Sequence, residues 1–165
     1  MRDSGRLLHY LAFVSLYGAV AAQSKAQSPP PLAGTDFRLG PVPEGTDSLV
    51  VRRRLGRPDS VGAADAAPDA TDKLVIWHYP HFRLYFTRLS IHGVIGVEAT
   101  DSTYATGRGL RVGDSETRLK RLYGEPVGTH ENIWDYDDPS ARLHVLRLTI
   151  RNGRILAIYV GWILD

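Results

Sequence analysis

The chain has 165 residues, a formal net charge of +2 and no cysteine. Its length suits one domain or two very small ones. Near-balanced charge gives no electrostatic reason to bind nucleic acid, and the lack of cysteine excludes disulfides, thiolate metal sites and a cysteine nucleophile.

Residues 1–22 have the pattern of a secretory signal peptide. Arg2 and Arg6 supply a basic start, Leu7, Leu8, Leu11, Phe13, Val14 and Leu16 an apolar stretch, and Gly18-Ala19-Val20-Ala21-Ala22 the small residues of a cleavage site. Cleavage is expected after Ala22, with Ala21 the neighbouring choice. The apolar stretch, about 16 residues and interrupted by His9 and Tyr10, falls short of the roughly 20 that span a bilayer. No cysteine follows for lipidation. The expected location is therefore periplasmic or extracellular, with no stable membrane anchor after cleavage. Residues 23–36, rich in Ser, Gln, Ala and Pro and including Pro29-Pro30-Pro31, read as a disordered or polyproline linker. The folded domain is expected over 37–165.

An internal repeat organises that domain, with repeat one at 37–99 and repeat two at 106–165. Residues 45–58 align without a gap on residues 113–126. Gly45 meets Gly113, Gly56 meets Gly124, Pro58 meets Pro126, and Arg52-Arg53 meets Lys120-Arg121. Val51 matches Leu119 and Leu55 matches Tyr123, so both segments carry an apolar stripe at helical spacing. Thr46 and Asp114 are expected as N-caps, and Gly56 and Gly124, followed by Pro58 and Pro126, end the helices. Helices this short need a surface to dock on. In the first repeat, residues 62–72 have no apolar period and read as a surface loop.

Each helix is followed by a W-x-Y segment, Trp77-His78-Tyr79 and Trp134-Asp135-Tyr136. Strands are expected over 74–79, 82–91 and 94–99, and over 133–136, 143–151 and 154–162. Asn152-Gly153 is a strong two-residue hairpin turn, and His92-Gly93 is its weaker counterpart. The expected fold class is α+β: two tandem units of one helix and a three-stranded antiparallel meander. Both helices would pack on one face of a sheet of about six strands.

A capped short helix ending in Gly-x-Pro, a W-x-Y strand and an Asn-Gly hairpin resemble the SmpA/OmlA domain of outer-membrane assembly lipoproteins. Two such units in tandem resemble the β-lactamase inhibitor protein fold. The resemblance runs over roughly 37–165 and is densest at residues 106–115 and at Gly124-Glu125-Pro126. It implies binding to another protein. The chain lacks the lipidated cysteine of the assembly lipoproteins and the cysteines of the secreted inhibitor, and no functional residue is carried over.

Residues two apart on a strand share a face, so Trp77 and Tyr79 point one way, as do Trp134 and Tyr136. They form either an aromatic patch on an open sheet face, suited to protein binding, or the core beneath the helices. The polar residues between and beside them, His78, Asp135 and Asp137, favour the core. In that case the strand over 143–151 buries Leu146, Leu148 and Ile150 and presents Arg147, Thr149 and Arg151, with Arg147 and Arg151 near Asp135 and Asp137. Trp77, Tyr79, Trp134, Tyr136, Asp135, Arg147 and Arg151 are thus the candidate protein-binding residues.

Enzyme and cofactor signals are weak. His78, His81 and His92 lack zinc-ligand spacing, and Asp101, Asp114, Asp135, Asp137 and Asp138 lack the calcium-loop pattern. Gly107-x-Gly109 lacks the third glycine of a dinucleotide fingerprint. Ser115 has no nucleophile elbow, and Glu98 and Glu116 form no carboxylate pair. The expectation is an exported, non-enzymatic protein-binding module with no cofactor and a partner in the envelope or outside the cell. Two alternatives are a small exported hydrolase using His78 or His81 with an aspartate, and an envelope component tethered by an uncleaved N-terminus.

Overall fold

The computed structural model describes residues 28–65, 73–87 and 93–163. The signal peptide, its cleavage site and residues 23–27 lie outside the described residues, as do residues 66–72 and 88–92.

Two helices, α1 (Ser48–Leu55) and α2 (Glu116–Tyr123), each precede a run of antiparallel strands. The first run is β1 (Ser60–Asp65), β2 (Lys73–His78), β3 (Phe82–Thr87) and β4 (Gly96–Ala99). The second is β5 (Gly128–His130), β6 (Ile133–Asp137), β7 (His144–Arg151) and β8 (Arg154–Trp162). All eight join one sheet in the order β1-β2-β3-β4-β8-β7-β6-β5, the two runs meeting at β4 and β8.

This corrects the expected two helix-plus-three-strand units on a six-stranded sheet. The additional strands are the two edges. β1 carries Ser60, Val61, Gly62, Ala63 and Ala64, with Val61 59% exposed, and all three residues of β5 are exposed. Such strands bury almost no side-chain surface, so no apolar alternation announces them. They form because they pair the outer backbone groups of β2 and β6. The supposed loop at 62–72 is therefore strand as far as Asp65.

The helix starts also shift by one residue. Asp47 accepts from the Leu49 amide at 2.7 Å, and Ser115 Oγ accepts from the Arg118 amide at 3.2 Å. Thr46 and Asp114 do not cap because their groups are engaged upstream. The Thr46 hydroxyl donates to the Pro43 carbonyl, and the Asp114 carboxylate accepts from the Arg111 amide and Arg118 Nε. Their carbonyls take the amides of Val94 and Ile155, tying each helix to the hairpin of its own strand run.

The core lies between helices and sheet. Val51, Leu119 and Tyr123 descend from the helices onto Phe82, Leu84, Phe86, Val97, Leu146, Leu148, Ile158 and Val160. The strand register continues this face outward. Trp77 stands opposite Leu84, and Tyr136 opposite Leu146. The tight turn between β7 and β8 has positive φ at both Asn152 and Gly153, as its sequence demands.

The stretch before α1 is part of the same core. Pro30 and Pro31 offer their carbonyls to Arg108, whose guanidinium also pairs with Asp36 at 2.8 Å. Phe37, Leu39 and Val42 are buried. Residues 28–36 are thus a docked strap, with Arg108 donating to the Pro30 and Pro31 carbonyls and pairing with the Asp36 carboxylate.

Candidate functional site

The helices cover one face of the sheet and leave the other open. Alternation along the strands sends Arg83, Tyr85, Glu98, Arg147 and Tyr159 to the open side, since their neighbours Phe82, Leu84, Val97, Leu146 and Ile158 are core. Strand register lines them up in one row across the molecule: His78, Arg83, Glu98, Tyr159, Arg147, Asp135.

The row is wired internally. Arg147 makes a two-pronged contact with Asp135, Nε to Oδ1 at 2.8 Å and Nη2 to Oδ2 at 2.9 Å. Arg83 Nη1 donates to Glu98 Oε2 at 3.0 Å, and the Tyr85 hydroxyl donates to the same oxygen. In both pairs the carboxylate lies deeper than the cation. Glu98 and Asp135 are 14% and 26% exposed, against 40% for Arg83 and 39% for Arg147. The acids hold the guanidinium groups in place, and the guanidinium groups are what a visitor meets. The hydrogen bonds to Asp135 outweigh burial and raise the Arg147 pKa above its ordinary value, so it stays charged.

Two tyrosines complete the surface. Tyr85 and Tyr159 meet edge to face with centroids 5.4 Å apart, and the Tyr159 hydroxyl donates to the Trp162 carbonyl at 2.9 Å. The Tyr159 ring lies across Gly96 and Gly161, where a Cβ on either would strike it. Burial, aided at Tyr85 by Glu98, pushes both phenols well above the usual tyrosine range, so both remain hydrogen-bond donors. A groove of about 270 Å³ runs between Tyr85, Glu98, Arg147, Thr149, Ala157 and Tyr159.

Of the residues singled out in the sequence, the structure joins Asp135 and Arg147 on this face. Arg151 is exposed at the last position of β7, opposite Arg154, outside the row. The four W-x-Y aromatics are on the helix side. Tyr136 is 1% exposed, and Trp77, Tyr79 and Trp134 pack against the core. Arg52 of α1 sits 5.5 Å over Trp77, and Lys120 of α2 sits 5.0 Å over Trp134. These four aromatics therefore lie on the helix side of the sheet, away from the row on the open face. Arg83, Tyr85 and Tyr159 escaped notice in the sequence, and Glu98 was weighed there only as half of a carboxylate pair. Their signal was the alternation Phe82-Arg83-Leu84-Tyr85-Phe86 and its like in β8, which marks a second face and not only a first.

Two histidines hold carboxylates. His81 Nδ1 lies 2.6 Å from Asp101 Oδ2, both about half exposed, and Asp101 is lowered to about 2 by hydrogen bonds from Thr103 and then His81. No nucleophilic side chain meets the other nitrogen of His81 among the described residues. His144 is buried between Asp138 and Glu44. Among the described residues no group of three or more His, Asp or Glu side chains is placed to hold a metal ion.

No family model, no curated protein and no solved structure matches this chain.

Proposed function

We propose that this chain is an exported protein-binding module that docks its partner on the open face of the eight-stranded sheet. The observation that carries the reading is the burial order within the row. The carboxylates Glu98 and Asp135 lie below and the arginines Arg83 and Arg147 above, with Tyr85 and Tyr159 beside them lining a groove. Arginine and tyrosine anchor protein interfaces because they offer large contact area with fixed donors. Here their rotamers are already held by Glu98, Asp135 and the Gly96–Gly161 floor, which reduces the ordering cost of association. Among the described residues Arg147 Nη1 makes no hydrogen bond, which leaves it for a partner's acceptors.

Export rests on the residue pattern of 1–22 and belongs to the same proposal. A test uses the mature chain as bait in an envelope fraction, beside Arg83→Glu/Arg147→Glu. The reading expects a stoichiometric protein retained by the first and lost by the second, with unchanged circular dichroism. Equal retention by both would refute docking through this row.

A further inference from the structure

The strap of residues 28–47 is fastened to the folded body at two places of different chemistry. The first is Arg108, which holds Pro30, Pro31 and Asp36 and stacks 5.5 Å over Tyr123. The second is His144. Its Nδ1 is 2.8 Å from Asp138 Oδ2 in the β6–β7 turn, and its Nε2 is 2.9 Å from Glu44 Oε2 on the strap. The ring is flanked by Phe37 and Trp162, at centroid distances of 6.0 and 5.2 Å.

We propose that the second fastening is a pH-operated latch: imidazolium His144 clips Glu44 of the strap to Asp138 of the body, and deprotonation releases the strap between residues 38 and 44.

The chemistry follows from counting protons. A cationic imidazole donates from both nitrogens, one to each carboxylate. A neutral one keeps a single N–H, so one carboxylate must face a lone pair. Asp138 is the one that keeps the proton donor. Its side chain is 4% exposed and already accepts from the amide and hydroxyl of Ser140. Glu44 is 23% exposed and has no second partner among the described residues, so it is the one let go.

The remaining charges nearby do not substitute for the imidazolium. Asp36 on the strap adds negative potential at Asp138, and Tyr159 of β8 feels Glu44 without donating to it. Arg38 lines the same hollow of about 540 Å³ as Glu44 and His144 but makes no ion pair among the described residues. Arg108 holds Pro30, Pro31 and Asp36, so the strap stays anchored upstream. Downstream the Gly45 amide is bonded to Val94 at 2.7 Å. Leu39 and Val42 of the span between these points are themselves buried, so losing the clip raises how often this span opens and leaves the rest of the strap in place.

Burial alone would lower the His144 pKa, but hydrogen bonds to Glu44 and Asp138 outweigh it and raise the value above 6.5. A raised histidine stabilises the fold fully below its unfolded value and loses that contribution as pH climbs through the folded one. The latch is therefore closed below the ordinary histidine value and opens as pH rises through the raised value of His144.

The test is hydrogen exchange with mass-spectrometric readout between pH 6 and 9, corrected for intrinsic rates, beside an NMR titration of the His144 ring. Protection of peptides covering 36–45 should fall about tenfold per pH unit between 6.5 and the observed His144 midpoint, then level off. Peptides from β7 and β8 should hold. His144→Gln should show no such step. Glu44→Gln, the milder change, should fold and shift the His144 midpoint downward. Protection that ignores pH, an equal fall across β7 and β8, or the same step in His144→Gln would each overturn the latch. Should His144→Gln not fold, an unmoved midpoint in Glu44→Gln would overturn it alone.

Discussion

The Tyr136 hydroxyl donates to the carbonyl of Gly124, the residue that ends α2, at 3.0 Å. Tyr79 makes the matching bond to Gly56, which ends α1, at 3.2 Å. In each half the second aromatic of the W-x-Y segment therefore closes the open carbonyl end of its own helix. The first aromatic lies under a basic residue of that helix.

Tyr136→Phe should destabilise the fold by about 1 kcal/mol, since it removes one largely buried hydrogen bond without leaving a cavity. Tyr79→Phe should cost less, because its bond is longer and water can reach Gly56. Urea denaturation of both variants checks the order. Equal costs, or none, would show that these hydroxyls do not hold the helix ends.

Gly161→Ala should cost about 1–3 kcal/mol, the usual range for overpacking. The new methyl would sit 2.5 Å from the Gly96 Cα and 2.6 Å from the Tyr159 hydroxyl. Loss of the Tyr85–Tyr159 contact in NMR spectra should accompany it. A neutral effect would mean that the ring is not seated on this floor.

Acid should weaken the strap through its carboxylates. Burial raises the pKa of Asp36 and Asp138, yet Arg108 at the first and Ser140 and His144 at the second outweigh it and leave both lowered. Lowered carboxylates stabilise above their unfolded value near 3.9 and lose that contribution as pH falls through the folded one. Thermal melts should therefore drop below about pH 4, and Asp36→Asn should flatten part of that drop. An unaltered acid limb in Asp36→Asn would remove Asp36 from the account.

How far this fold and site could be read in the sequence depended on burial. Both helices, the six inner strands and the Asn152-Gly153 turn rest on apolar spacing or positive φ, and those leave marks in residue type. β1 and β5 expose their side chains and satisfy only backbone groups, so Gly62-Ala63-Ala64 looked like loop. The strap was hidden for a related reason. Its polyproline stretch has no period, and the arginine that holds it lies 77 residues away. On the open face Asp135 and Arg147 could be paired from alternation. The link from Glu98 to Tyr159 could not, because β4 is four residues long and its partner β8 follows some 60 residues later, so nothing local gives that register. His144 went unnoticed at the start of β7, on the side that also carries the apolar Leu146, Leu148 and Ile150.

Asp135→Ala and Arg147→Ala should each alter folding stability by less than about 1 kcal/mol, since both partners keep solvent access. Partner binding should weaken far more in Arg147→Ala than in Arg151→Ala. Calorimetry with the retained partner measures both. A larger loss at Arg151 would move the interface to the hairpin end.

Intact mass of the protein recovered from its native host should place the mature N-terminus at or near Gln23. A mass retaining residues 1–22 would favour the tethered envelope component instead.

The most direct examination of the whole account is site-specific photo-crosslinking in living cells, with the reactive side chain placed once at Thr149 and once at Leu49. Thr149 lines the groove, and Leu49 is 66% exposed on α1, on the helix side of the sheet. Docking on the open face predicts a discrete adduct with another protein from Thr149 and none from Leu49. An adduct from Leu49 with Thr149 silent would contradict it.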